Sequence, residues 1–201
     1  RDNKIGVMDM NIDELVNVLK TGKLAIIPTD TIYGIVADAT NEDAIKKVYE
    51  VKQRDYNKPL IILVSSINML KNYVKDISSI EENLIKKYWP GKLTILFKKN
   101  NNVLNIINNN SELIGIRLPN DKSLIELIDK LGTPIISTSA NLSGEKAIIS
   151  IDRLNETIKS KIDYIYDDGI KDSSPSTFLI VIATSIRAPE SSSSSPFFAA
   201  Y

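Results

Sequence analysis

A chain of 201 residues, 43% of them apolar, has material for one well-filled core, and its 25 Lys and Arg are balanced by 25 Asp and Glu. Attraction for an anionic partner must therefore come from local clustering rather than from the overall field. The chain has neither cysteine nor histidine, which excludes disulfides, thiolate nucleophiles, Ser-His-Asp and Cys-His catalysis and the imidazole general base.

Chemistry is left to Lys, Arg, Ser, Thr, Tyr and carboxylates, with a hard cation such as Mg²⁺ arriving on a nucleotide. No set of residues reads as a resident metal site. No apolar run is long enough to cross a bilayer, and the first ten residues lack the order of a signal peptide, which predicts a cytoplasmic protein.

In chain order, Asn11 is placed to cap a helix carrying Ile12, Leu15, Val16 and Leu19 at helical spacing, closed near Gly22. Leu24 to Ile27 reads as a short buried strand stopped by Pro28, and the stretch from Pro28 to Gly34, polar between two apolar runs, as a turn. Thr40 and Asp43, at capping-box spacing, open a second helix with Ile45, Val48 and Tyr49 inward, ending near Lys52. Leu60 to Val64 is a continuous apolar strand. Two helical segments follow, Ile67 to Val74 and Ile80 to Trp89, the second opened by Ser79 and Glu82.

Leu93 to Phe97 and Leu113 to Leu118 read as strands on either side of an Asn-rich loop. Ser123 to Leu131 is an amphipathic helix closed by Gly132, and Ile135 to Thr138 a strand running into a turn. A helix around Ile151 to Ile158 and strands near Ile162 to Tyr166 and Phe178 to Ile182 complete the order. The interleaving predicts an α/β domain, residues 1–188, with a twisted mixed β-sheet flanked by helices. Residues 189–201, with five consecutive serines, read as a disordered tail.

Three clusters carry candidate chemistry. Lys52-Gln53-Arg54 with Lys58 is either a solvated helix end or a phosphate clamp, since alternating cations converge well on a triphosphate and Arg adds a planar fork. Ser137-Thr138-Ser139-Ala140-Asn141-Leu142-Ser143-Gly144 is either turn chemistry or a hydroxyl-rich ligand edge at a strand end. The third is Pro28-Thr29-Asp30-Thr31-Ile32-Tyr33-Gly34, with Arg117 as a distant partner. Arg117 sits in an apolar strand, so it needs an acidic neighbour or an anionic ligand. Neither a P-loop nor a GxGxxG is present.

Taken in order, these clusters resemble the YrdC family of threonylcarbamoyl-adenylate synthases. The matching blocks are Pro28 to Gly34, Lys52-x-Arg54 with Lys58-Pro59-Leu60, Trp89-Pro90-Gly91-Lys92-Leu93-Thr94, Arg117-Leu118-Pro119, Ser139-Ala140-Asn141 with Leu142-Ser143-Gly144, and Pro175-Ser176-Thr177. Where relatives carry an Arg-Pro-Gly-like segment, this chain has Ile186-Arg187-Ala188-Pro189. The resemblance implies the short, single-domain form, with a large concave basic cavity.

It also implies an enzyme that forms threonylcarbamoyl-adenylate and pyrophosphate from L-threonine, bicarbonate and ATP with Mg²⁺, serving a downstream tRNA-modification transferase. By resemblance, Lys52 and Arg54 are catalytic. Lys52, Arg54, Lys58, Ser139 and Asn141 hold ATP, and Thr31, Tyr33, Arg117 and Ser176 hold threonine.

A competing reading is a non-catalytic module binding tRNA or double-stranded RNA through Lys86, Lys87, Lys92, Lys98 and Lys99 with Tyr88 and Trp89. Another is a carbamoyl-adenylate enzyme fed by carbamoyl phosphate.

Overall fold

The computed structural model describes residues 10–171. Its elements are α1 (Ile12–Lys20), β1 (Ala25–Pro28), β2 (Tyr33–Asp38), α2 (Glu42–Lys52), β3 (Ile61–Leu63), α3 (Ile67–Lys71), α4 (Ser79–Tyr88), β4 (Ile95–Lys98), β5 (Leu113–Arg117), α5 (Lys122–Leu131), β6 (Ile135–Ser139), α6 (Glu156–Lys159) and β7 (Tyr164–Ile165). The strands form one mixed sheet in the order β4-β5-β3-β6-β2-β1-β7. The β1–β7 and β3–β5 pairs are parallel and the other four antiparallel.

Side-chain alternation along the strands divides the core in two. On one face, α1 and α5 place Leu15, Leu19, Leu124, Leu127 and Ile128 against Ala25, Ile27, Val36, Leu63 and Ile135. On the other, α2 packs Ile45, Val48 and Tyr49 into a larger cluster with Ile26, Ile35, Ile62, Ile116 and Ile136. Each fully buried Leu or Ile is worth about 1.5–3 kcal/mol relative to exposure.

Caps set the helix limits. The Asn11 side chain accepts from Glu14 N at 3.1 Å, and Asp121 Oδ1 accepts from Ser123 N and Leu124 N. Gly132 ends α5 in the left-handed region at φ +81. No described helix is long and apolar enough to cross a membrane.

Four local readings are corrected. Tyr33–Asp38 is a strand, forming a hairpin with β1 across a turn at residues 29–32; its unbroken apolar run hides the alternation that marks a half-buried strand. Asn41, not Thr40, caps α2 by accepting from Ala44 N at 2.9 Å; Thr40 is held instead by Asp38 Oδ1. The capping box of α4 is Ser78 with Glu81, one residue before the expected pair. The expected helix at 151–158 is a 3-10 turn, Ile151–Arg153, followed by α6, because the Asn155 side chain caps Thr157 N and starts a new helix there. The expected strand at 178–182 and the serine tail lie outside the described residues.

Candidate active site

The hairpin turn between β1 and β2 is organised by one hydroxyl. Thr29 Oγ1 donates to Ile32 O at 2.7 Å and accepts from the backbone N–H groups of Thr31 and Ile32. It also lies 3.0 Å from Thr31 Oγ1. Either hydroxyl can donate in this contact; where Thr29 gives its proton to Ile32 O, Thr31 donates to Thr29 and its oxygen offers lone pairs to a ligand.

Asp30, between the two threonines, meets Arg117 at the end of β5. Arg117 Nη1 donates to Asp30 Oδ1 at 2.8 Å and Oδ2 at 2.7 Å, with a longer contact of 3.4 Å to Gly91 O. Both side chains are buried, 5% and 8% exposed. The acidic neighbour that Arg117 required is thus Asp30. All of Arg117's hydrogen bonds among the described residues leave from Nη1, and Nε and Nη2 have no partner among those residues.

The end of α2 supplies the second cation. Gln53, left-handed at φ 48, terminates the helix and turns the chain toward Arg54. Arg54 Nε donates to Lys58 O at 3.1 Å and Nη2 to Pro59 O at 2.9 Å. Tyr49 braces the same loop, its phenol donating to Lys58 O and its ring stacked on Tyr56 at 4.5 Å. The guanidinium is thereby preorganised within its own loop.

These groups converge on one cavity of about 270 Å³ whose lining includes Thr29, Thr31, Gly34, Arg54, Arg117, Ser137, Thr138 and Ser139. The cavity needs the glycine of β2. A Cβ on Gly34 would stand 3.2 Å from both Ser137 Oγ and Thr29 Cγ2.

Of the residues singled out from the sequence, Thr31, Arg54, Arg117 and Ser139 line this cavity. Lys52 does not; it is 1% exposed, and its ammonium donates to Ser139 O, to Asn141 O at 2.6 Å and to Asn141 Oδ1 at 3.4 Å. Burial, reinforced by the Arg54 charge and opposed in part by Glu145, lowers its pKa to about 7. Asn141 is spent on the turn, its Nδ2 donating to Leu142 O and Glu145 O. Lys58 is exposed and absent from the lining.

Tyr33, expected to wall the threonine pocket, is fully buried on the core face opposite Gly34 and is not among the residues lining this cavity. Its phenol donates to Gly169 O at 2.7 Å and accepts from Asp168 N, and burial pushes it up to about 12. Ser176 lies outside the described residues. Asp30 and Thr29 are the functional candidates that the sequence reading left without a role, although it had set their block beside Arg117.

The basic patch considered for RNA loses two members. Trp89 is buried with its indole N–H on Leu93 O, and Lys99 is tied to Asn105 and Asn108.

Among known proteins, the family model named Sua5_yciO_yrdC and described as "Telomere recombination" matches residues 17–188. A protein of Methanocaldococcus jannaschii, provisionally named threonylcarbamoyl-AMP synthase, is 37% identical over 183 residues, 87% of this chain and 86% of that one. The threonylcarbamoyl-AMP synthase of Bacillus subtilis is 30% identical over 168 residues, 83% of this chain and 49% of its own. The crystal structure of P. abyssi Sua5 complexed with L-threonine superposes with a TM-score of 0.79 at 33% identity, covering 85% of this chain and 50% of that one. The chain thus spans most of the first relative but about half the length of the other two.

Proposed function

This chain belongs to the Sua5/YciO/YrdC family, and from that premise we propose that it is a threonylcarbamoyl-AMP synthase, an adenylyl-transferring enzyme that consumes L-threonine, bicarbonate and ATP. The observation that carries the reading is the convergence of Arg54, Ser139, Thr31 and Arg117, from four separate segments, on one cavity. The relative solved with L-threonine shares the fold around it.

The chemistry suits a site without histidine. The threonine amine adds to CO₂ released from bicarbonate and gives a carbamate. A carbamate oxygen then attacks the α-phosphorus of ATP, a P–O bond to the β-phosphate breaks, and pyrophosphate leaves. Each step asks the protein for placement and charge neutralisation more than for a base.

Arg117 takes the threonine carboxylate, Thr31 accepts from its polar groups, and Arg54 with Lys58 neutralises the phosphates. Ser139 lines the nucleotide end. Lys52 acts from behind by fixing the Ser139–Asn141 carbonyls. Magnesium would arrive with the nucleotide as Mg-ATP. At about 270 Å³ the cavity is at the low end of ligand pockets, which run to about 1,000 Å³, so the nucleoside extends beyond it. The product would pass to a separate transferase acting on tRNA in the cytoplasm.

The test is pyrophosphate release from Mg-ATP, with threonine and bicarbonate omitted in turn. Release should require both, and Arg54→Ala should lower turnover by about 10²-fold, as loss of other preorganised charge-stabilising donors does. Salt-sensitive RNA binding with no pyrophosphate would replace the synthase by a binding module.

A further inference from the structure

The pair at the amino-acid end of the cavity is electrically neutral. Arg117 cannot lose its proton, and in this buried position its charge is matched by Asp30 through two bonds to a single nitrogen. An unmatched buried arginine would attract any small anion, including bicarbonate, phosphate and 2-hydroxy acids, all of which an enzyme using ATP and bicarbonate meets. A matched one attracts them far less. Among the described residues, the Asp30 carboxylate is bonded to Arg117 Nη1, and Thr31, with its hydroxyl oxygen, lines the same cavity as Arg117. Donors for a carboxylate set next to acceptors for an ammonium fit a molecule carrying both.

We propose that Asp30 is a specificity-determining residue of the amino-acid subsite: by neutralising Arg117 it makes the subsite select a zwitterionic α-amino acid over simple monoanions. The inference rests on the synthase reading for the identity of the amino acid. It differs from a purely structural ion pair in a specific way. Removing the Asp30 charge shifts the balance between a zwitterion and an anion of the same shape, because the lost repulsion acts on the whole charge of the anion. For the zwitterion it is offset by lost attraction for the ammonium. A structural pair would weaken both ligands together.

Titration calorimetry of the full chain with L-threonine and with its 2-hydroxy analogue, 2,3-dihydroxybutyrate, tests this. Wild type should bind threonine at least about tenfold more tightly than the analogue. Asp30→Asn, which keeps size and one acceptor, should move that ratio about tenfold toward the analogue, whereas Asp30→Glu, which keeps the charge, should retain the wild-type preference. A wild type that binds both alike overturns the proposal, a result that needs no variant to fold. So does an Asp30→Asn ratio within about twofold of wild type. A wild type that binds neither ligand removes the amino-acid reading itself, an outcome distinct from a failure of selectivity.

Discussion

Two buried cations serve the site, Arg117 in the lining of the cavity and Lys52 behind it, and they are held in different ways. Arg117 meets a carboxylate at 2.7 Å, whereas Lys52's hydrogen bonds among the described residues go to the carbonyls of Ser139 and Asn141 and to the Asn141 amide oxygen. The difference follows from the side chains. A guanidinium stays charged at every physiological pH and must bring a counter-charge inside with it; an amine can give up its proton instead, and its pKa falls to about 7. Arg117 is therefore a fixed, neutralised dipole suited to a zwitterion. Lys52 is a strut whose charge depends on pH.

The strongest way to break this contrast is to strip Arg117 of its partner. Asp30→Ala should cost about 3–5 kcal/mol in urea denaturation, because it leaves a buried charge unmatched. The double variant Asp30→Ala, Arg117→Met should recover most of that loss. A loss within about 1 kcal/mol, typical of an exposed pair, would mean that Arg117 finds water or another partner, and that the dipole is not fixed.

A pH-dependent effect sharpens the other side. The folded-state pKa of Lys52 lies below its ordinary value of 10.5, so between about pH 7 and 10.5 the unfolded chain holds a proton that the folded chain has released. Stability then rises with pH across that window, by at most about 1.4 kcal/mol per pH unit for one proton. Below the window this group contributes no slope. Lys52→Met cannot titrate, so wild-type stability should climb relative to the variant from pH 7 upward. Parallel curves would show that the carbonyls hold the ammonium charged.

The contrast also marks what could be read in the sequence. That Arg117 needed an anion was legible from one cation in an apolar strand, and the block containing Asp30 was already the suggested partner. The amphipathic helices α1 and α5, with their Asn11 and Gly132 ends, were legible for the same local reason. The burial of Lys52 was not. A lysine in the last turn of a helix ordinarily points to water and complements the helix dipole. Here Ser143 N bonds Lys52 O at 2.9 Å and draws the Ser139–Ser143 turn over the side chain. That is a contact between segments about ninety residues apart, which no local pattern encodes. The β2 strand was hidden similarly: Tyr33 and Gly34 face opposite sides, one into the core and one toward the cavity, and only the pairing with β1 and β6 reveals it.

The proposed reaction joins threonine, bicarbonate and ATP in one product. The most direct measurement is mass spectrometry of the nucleotide formed from Mg-ATP, L-threonine and carbon-labelled bicarbonate. A threonylcarbamoyl-adenylate carrying the bicarbonate label, formed together with pyrophosphate, is the predicted result. An adenylate of threonine lacking the label, or hydrolysis of ATP without any threonine adduct, would contradict it.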